Sequence, residues 1–340
     1  MIDHSPTWLP RGTRSLTYGD VMASTLVSKT AVPGRAQQQS AASSGGTRVL
    51  DLFDRHFRLI TIAPAALLIL SLTVVPAIEL VRMAGAKIAF TNDGVERTAA
   101  LAENIGRLAN DWIYWRALLN TLAFVITSTL AELVLGLVLA LAAQRMTRAK
   151  GVVRTLMLIP ILIPPVAIGN MWRLMYNPEF GIIAYLADQV AGVRLDMLGS
   201  TSTALLAVII VDVWHWTPFM FLILLAGLEG LPEEVMQASH LDGASSLQRL
   251  RFIVLPMLWP AIAVAFVFRS IGAFRVFDQI YLLTSGGPGV STEVLSLYVF
   301  KVFFQNNELG YGALLSLVTI AIVCSYLAVF RIAQRRKGAL

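Results

Sequence analysis

The chain has 340 residues, of which 56% are hydrophobic and 14% are charged, and its mean hydropathy is +0.68. An ordinary soluble domain carries roughly 25% charged residues, so this composition excludes a soluble globule, and its hydrophobicity excludes a disordered chain. The net charge of +6 does not indicate nucleic-acid binding, because the basic residues flank the apolar segments. The single cysteine, Cys324, lies inside the last apolar segment and is interpreted as a packing residue.

Residues 1–50 are rich in Ser, Thr, Gln, Gly and Pro, and we predict that they form a disordered cytoplasmic tail. The remainder, residues 51–340, contains six apolar segments. Each is long enough for a membrane-spanning helix, which needs about 20 residues. We therefore predict an all-α membrane protein with spans at about 59–82, 117–143, 155–176, 203–228, 256–283 and 310–331.

The basic residues near the span ends predict the orientation of the chain. Thirteen of them fall on the side that holds both termini, and six fall on the longer loops of the other side. Because cytoplasmic loops retain an excess of Lys and Arg, we expect both termini to be cytoplasmic.

The loop at 230–256, on the same inner side, contains strong helix signals. Pro232 is followed by two acidic residues, Glu233 and Glu234, which the positive end of a helix dipole favours. Gly243 can adopt the left-handed conformation that ends a helix, and the sequence from Ser245 to Gln248 matches a capping box. These signals predict a helix, a turn and a second helix at the cytoplasmic surface.

Motifs for catalysis or nucleotide binding are missing from the sequence. There is no Gly-Lys dipeptide and hence no P-loop, and the four histidines share no metal-ligand spacing. We therefore predict neither a catalytic site nor a metal or cofactor site in this chain.

The fourth span carries polar and aromatic side chains on one helical face. Asp212, His215, Trp216 and Phe219 are spaced i, i+3, i+4 and i+7. Hydrogen-bonding groups beside flat rings suit a sugar, whose hydroxyls need partners while its C–H faces lie against aromatic surface. We favour a solute-pathway face. The alternative is that Asp212 pairs with another helix and the rings pack.

Polar residues also occur deep in the fifth span. Arg269, Ala273 and Val276 are spaced i, i+4 and i+7, while Arg275 and Asp278 are three residues apart and are expected to form a structural pair on a neighbouring face.

Glu132 lies at a similar depth in the second span. The sequence does not decide whether Glu132 pairs with Arg269. We interpret Glu132 as a residue that stabilises the helix bundle rather than as a proton carrier.

The inner loop resembles the EAA loop of ABC importer permeases, which reads approximately E-A-A-x-x-x-G, nine residues, then I-x-L-P. Here nine residues separate Gly243 from Ile253, which begins Ile-Val-Leu-Pro. Gln237 stands where the family has Glu, and Ser239 replaces the second Ala, which bears on any ion pair with an ATPase. The resemblance implies coupling to an ATPase through Glu233, Glu234, Gln237, Ala238, Ser239, Asp242, Gly243, Ala244, Leu255 and Pro256.

The segments 214–219 and 277–288 are similar to carbohydrate permeases of the maltose type. The resemblance covers about residues 59–335 and implies the type I importer arrangement of six helices. Carried over position by position, the family's solute contacts fall on the two faces already described: Asp212, His215, Trp216, Phe219, Arg269, Ala273 and Val276.

The resemblance implies an importer permease for a sugar, oligosaccharide or polyol in the bacterial inner membrane. Its partners would be a second related permease, two ATPase subunits that bind ATP and Mg²⁺, and an external solute-binding protein. Arg269 motivates one alternative, import of an anionic solute such as a glycerol phosphate or an acidic sugar. An alternative of another class is an ion-coupled secondary transporter that uses Asp212 and Glu132 as ion sites.

We predict that Gly243→Asp abolishes transport and leaves membrane insertion intact, because the loop has to transmit displacement through a rigid corner. Solute uptake and membrane content of the variant, measured in parallel, check this. Normal uptake would contradict the EAA assignment.

Overall fold

A computed structural model of the chain describes residues 46–91, 94–146, 150–193 and 195–336. The chain divides into two units, Met1–Ser71 and Leu72–Leu340. Most of the predicted tail lies outside the described residues. Its last part, 46–50, belongs to the first helix, so the predicted boundary at residue 50 is too late.

The described part of the chain is mostly α-helical, with one antiparallel hairpin between the first two helices. The helices are α1 (Gly46–Ala84), α2 (Leu101–Asn110), α3 (Trp112–Gln144), α4 (Lys150–Leu162), α5 (Pro165–Met175), α6 (Ile182–Ala191), α7 (Ala204–Glu229), α8 (Glu233–Leu241), α9 (Ser246–Arg249), α10 (Leu255–Phe274), α11 (Asp278–Leu283), α12 (Leu295–Phe300) and α13 (Leu309–Arg336). The strands are β1 (Ala86–Thr91) and β2 (Gly94–Ala99), and π-helical turns occupy Leu250–Val254 and Lys301–Gln305.

Five helical segments in the described residues are long and apolar enough to cross a membrane, and a bent pair supplies a sixth. The five are Thr61–Ala84, Trp112–Gln144, Ala204–Glu229, Ser246–Phe274 and Leu309–Ile332. The predicted all-α membrane fold is therefore confirmed.

The third predicted span, 155–176, is not one straight helix. Helices α4 and α5 meet at an angle of 91°. Pro164 caps α5 and Pro165 occupies its first turn. A proline disfavours helical backbone at the preceding residue and lacks the N–H needed to continue a helix, so this pair of prolines breaks the span.

The fifth predicted span, 256–283, also differs from the structure. It begins earlier, at Ser246, and its long helix ends at Phe274. The N–H of Arg275 bonds to the carbonyl of Gly272, which closes the helix, and Asp278 opens the separate helix α11. The expectation that Arg275 and Asp278 share a helical face is therefore wrong.

The predicted helix, turn and helix of the inner loop is present as α8 and α9. Gly243 has φ +72°. The N–H of Ala244 bonds to the Ser239 carbonyl, and the N–H of Gly243 bonds to the His240 carbonyl. This is a Schellman motif, which satisfies carbonyls at the end of α8 and requires the left-handed residue.

The turn at Gly243 forms a corner between α8 and α9, and the predicted capping box holds the start of α9. Ser245 Oγ accepts from the N–H of Gln248, and Gln248 Oε1 accepts from the N–H of Ser245. Across the corner, Arg249 Nη1 lies 2.7 Å from His240 Nδ1 and donates to the Ala244 carbonyl at 3.2 Å. These bonds fix the angle between α8 and α9.

The hairpin and α2 were not predicted from the sequence. Strand β1 pairs with β2 in a register that sets Ala86 opposite Ala99 and Phe90 opposite Val95. Both faces of β2 are exposed, so the hydrophobic alternation that identifies a half-buried strand is weak here.

The centre of the fold is the contact between α3 and α7. Phe124 and Val125 of α3 and Val208 and Val211 of α7 share one buried cluster. Where the two helices approach closely, a Cβ at Gly136 would lie 2.7 Å from Met220 Cβ and 2.9 Å from the Phe221 nitrogen. Only glycine fits there.

The opposite side of α3 carries exposed apolar side chains. Leu119, Ile126, Leu130 and Val134 are all more than two-fifths exposed. They lie on one stripe of the helix, as expected for a surface that faces lipid.

We predict that Gly136→Val lowers the stability of the folded chain by about 1–3 kcal/mol, because the added atoms overlap α7. Gly151→Ala is the matched control, since a Cβ at Gly151 meets nothing within 4 Å. Thermal unfolding of both variants in nanodiscs measures the difference. Equal midpoints would show that α3 and α7 do not approach this closely.

Candidate intramembrane site

Three charged side chains from three spans meet inside the helix bundle. Arg269 of α10 approaches Glu132 of α3, with Nε 2.6 Å from Oε2 and Nη2 2.8 Å from Oε1. Arg269 Nη2 also donates to Oδ2 of Asp212 on α7. We call Glu132, Asp212 and Arg269 the charged triad.

The charged triad is almost completely removed from solvent. The exposed fractions of the side chains are 3% for Arg269, 3% for Asp212 and 0% for Glu132. Removing one member of such a buried group leaves an uncompensated charge, which is far more costly than losing a surface ion pair. The alternative in which Asp212 pairs with another helix is therefore what the structure shows, and the Glu132–Arg269 pair is formed.

The Trp216 ring of the predicted α7 face lies against the charged triad. The Arg269 guanidinium carbon is 5.1 Å from the centroid of the Trp216 ring, a cation–π distance. The Trp216 ring is 4.9 Å from the His215 ring and 6.0 Å from the Phe219 ring. Helical spacing therefore placed these side chains correctly relative to one another.

His215 has a partner that sequence reasoning missed. Gln279 Nε2 on α11 lies 3.0 Å from His215 Nδ1, and both side chains are buried. Helix α11 is placed there by close packing on α5, where a Cβ at Gly169 would lie 2.8 Å from Leu282 Cβ. Gln279 Oε1 is buried, and no hydrogen-bond partner for it is found among the described residues. It is therefore an available acceptor beside the site.

A small cavity of about 120 Å³ opens next to these groups. Its lining is Pro165, Asp212, His215, Trp216, Arg269, Gly272, Arg275, Val276, Phe277, Asp278 and Gln279. Five of the seven predicted pathway residues line it. Phe219 lies outside the lining, in contact with Trp216, and Ala273 is buried in the core with Phe274.

The segment after α11, residues 284–301, forms a tightly braced loop, which we call the outer loop after its predicted side of the membrane. Lys301 Nζ donates to Glu293 Oε2 at 2.6 Å and to the Ser285 carbonyl at 2.9 Å. Gly286 has φ +92°, and a Cβ there would lie 2.9 Å from Lys301 Nζ. Burial raises the pKa of the Glu293 carboxyl above its ordinary value, and the Lys301 ammonium opposes that rise.

Asn120 of α3 attaches this outer loop to the bundle. Its side-chain nitrogen donates to the carbonyls of Val290 and Glu293 at 2.9 and 2.8 Å. Thr121 Oγ1 accepts from the N–H of Leu295. The loop that follows α11 therefore holds a fixed position relative to α3.

In the inner loop, residues 230–256, most of the predicted coupling residues are exposed. Glu233, Glu234, Gln237, Ala238, Asp242, Gly243 and Pro256 are exposed, whereas Ala244 and Leu255 are half-buried. Ser239 is buried and donates to the Met236 carbonyl at 2.6 Å, so it braces α8 instead of presenting a surface. Two apolar side chains that were not predicted, Leu241 and Leu247, are 89% and 73% exposed at the corner.

Ion pairs connect the base of this loop to α4. Glu229, at the end of α7, pairs with both Lys150 and Arg154. The inner loop is thus joined to α7 through the chain and to α4 through these charges.

In the part of the chain that the structure describes, no group of three or more His, Cys, Asp or Glu could hold a metal ion.

We predict that Arg269→Ala destabilises the folded chain by about 3–5 kcal/mol, because two buried carboxyls lose their cation. Arg275→Ala is the matched control. Arg275 lines the same cavity but is exposed, so its removal should change stability by no more than about 0.5 kcal/mol. Thermal unfolding in nanodiscs compares the two. Equal losses would contradict the burial of the charged triad.

Comparison with known proteins shows which family shares this arrangement. The chain is 37% identical over 217 residues to the trehalose/maltose transport system permease protein MalF of Thermococcus litoralis, covering 64% of this chain and 73% of that protein. It is 32% identical over 284 residues to the sulfoquinovosyl glycerol transport system permease protein SmoG of Agrobacterium fabrum, covering 84% and 92%.

The fold matches a chain in the crystal structure of a bacterial alginate ABC transporter in complex with an alginate pentasaccharide-bound periplasmic protein. The TM-score is 0.73 at 20% identity, with 85% of this chain and 98% of that chain covered. Residues 132–338, which include the charged triad, α8 and the outer loop, match the family described as binding-protein-dependent transport system inner membrane component. The chain belongs to this family of ABC importer permeases.

Proposed function

We propose that this chain is the permease subunit of an ATP-driven importer for a sugar, oligosaccharide or polyol. The observation that carries the proposal is the cavity beside the charged triad. There, Trp216 supplies ring surface, and His215 and Gln279 supply hydrogen-bonding groups. That combination matches a solute with hydroxyls and apolar C–H faces. The trehalose/maltose relative supports it, since its name refers to sugars.

The ion pairs that Arg269 forms favour a neutral solute over an anionic one. Its guanidinium donates to Glu132 and to Asp212 and lies over the Trp216 ring. A guanidinium whose charge is already matched by two carboxyls has little to offer an anion. Arg269 by itself therefore gives little reason to expect an anionic solute.

An anionic solute remains the second candidate because of Arg275. This side chain lines the same cavity and is exposed, and Asp278 lines the cavity with it. The sulfoquinovosyl glycerol relative supports this candidate, since sulfoquinovose carries a sulfonate.

The small volume of the cavity supports the proposal that a second permease completes the site. Its volume of about 120 Å³ is well below the 300–1,000 Å³ of typical small-molecule sites. Phe219, which the sequence places on the pathway face, is half-buried and lies beyond the lining. A related subunit that covers this face would enlarge the site and enclose the solute, so each permease would contribute part of the pathway.

The inner loop is proposed to dock on an ATPase subunit, one on each of the two permeases. Its corner is rigid, and its tip exposes Leu241 and Leu247 beside the acidic start of α8. Exposed apolar side chains of this size at a cytoplasmic surface are typical of a protein interface. ATP and Mg²⁺ would be held by the ATPases. Closure of the ATPases would draw the two inner loops together and rock the attached spans from inward-open to outward-open.

The solute is proposed to arrive from an external binding protein. The alginate transporter that shares this fold was solved with a solute-loaded periplasmic protein. In the proposed orientation both termini lie in the cytoplasm, and the braced loop that contains Gly286 lies on the outer side, where such a protein would bind.

An ion-coupled mechanism has no support in the family assignment. In addition, the two acids proposed for it, Asp212 and Glu132, are held by Arg269. The chain is accordingly proposed to act mechanically and to leave ATP hydrolysis to its partners.

We expect uptake of a radiolabelled substrate by cells that express the full transporter to be inhibited by neutral oligosaccharides and polyols and not by sugar phosphates or sulfonates. Trp216→Leu should reduce uptake at least tenfold through loss of ring contact, an effect of about 1.4 kcal/mol on solute binding. Trp112→Leu, an exposed ring on α3, is the control. Inhibition by anions alone would favour the second candidate.

A further inference from the structure

The charged triad contains one more acid than base. Glu132 and Asp212 are both held by the single guanidinium of Arg269. An arginine side chain keeps its positive charge in proteins. If both carboxyls were ionised, the buried group would therefore carry one net negative charge.

Neighbouring groups do not supply the missing positive charge. Arg275 and Asp278, which line the adjacent cavity, are exposed and of opposite sign. The amide nitrogen of Gln279 faces Nδ1 of His215 at 3.0 Å. In this orientation of the amide the nitrogen donates to the ring, and an imidazole that accepts at Nδ1 carries no positive charge.

The remaining polar groups buried near the charged triad on its own helices are hydroxyls. They are Ser128 and Thr129 on α3, Thr217 on α7 and Ser270 on α10. The other charged side chain buried in the described residues is Glu293, and Lys301 already pairs with it in the outer loop. The charged triad therefore has to be neutral by itself or carry an unpaired charge in a medium of low dielectric constant.

Two carboxyls that share one buried site resolve such a conflict by retaining a proton. Glu132 Oε1 and Asp212 Oδ2 both accept from the same nitrogen of Arg269, Nη2, so the two carboxyl groups are immediate neighbours. A proton between them would replace a repulsion by a hydrogen bond and would leave one carboxylate to match the guanidinium.

We propose that Glu132 and Asp212 hold one proton between them at neutral pH, so that the charged triad is a neutral unit of one acid, one carboxylate and one guanidinium. The proton belongs to the pair and not to either residue alone. The proposal concerns the chain itself and does not depend on the identity of the solute.

The electrical neutrality of this unit has a consequence for selectivity. The cavity beside it would meet neither an excess positive nor an excess negative charge at its buried wall. An uncharged solute could then lie against Asp212 and Trp216 without displacing an ion, and neither acid would need to exchange its proton with water during transport.

Infrared spectroscopy of the assembled transporter in nanodiscs in D₂O tests the proposal directly. At neutral pH the wild type should show the carbonyl stretching band of a protonated carboxyl group. The band should be lost in Glu132→Gln and equally in Asp212→Asn, because either change removes one negative charge and leaves the other carboxyl ionised beside Arg269. Glu293→Gln is the control, a buried acid with its own cation, and should retain the band.

A band that persists in both Glu132→Gln and Asp212→Asn would overturn the proposal, since the proton would then lie elsewhere. If neither variant folds, the wild-type spectrum can still overturn the proposal. The absence of any protonated-carboxyl band at neutral pH would show that both acids are ionised.

Discussion

The pairing of one arginine with two acids inside the membrane constrains the rest of this structure. A charge at this depth is tolerated only when it faces a protein interior and finds a partner. Arg269, Glu132 and Asp212 come from α10, α3 and α7, so these three helices are fixed in mutual register. The cavity, the Trp216 platform and the His215–Gln279 contact all lie next to this junction.

The rest of the packing is compatible with that junction because it allows the backbones to approach closely. Gly136 lets α3 contact α7. Nearer the inner loop, Gly227 leaves room for α10, because a Cβ there would lie 2.7 Å from Leu258 Cδ1. In lipid there is no hydrophobic force to drive helices together, and small residues supply close van der Waals contact instead. Charge fixes the register of the helices, and glycine sets the distance between them.

Much of this arrangement could be predicted from the sequence, because its signals are local. Span number follows from apolar length, the α7 face follows from helical spacing, and the corner at Gly243 follows from capping chemistry. Gln279 was missed for a physical reason. The predicted fifth span was extended as one helix to residue 283, whereas the chain breaks after Phe274 and turns α11 back toward α5. The sequence also could not show which helices supply the partners of Arg269. Contacts between helices depend on tertiary packing, which produces no periodic pattern in the sequence.

The helical segment Ser246–Phe274 has 29 residues. At 1.5 Å per residue it measures about 43 Å, more than the hydrocarbon thickness of a bilayer. One end continues directly from the corner at Gly243, and the other carries Arg269 and ends at the cavity wall. The π-helical turn at Leu250–Val254 and Pro260 inside α10 are the two places at which this rod could bend. If the inner loop docks on an ATPase as proposed, a tilt of a few degrees at that end would move the end beside the cavity by a few ångströms.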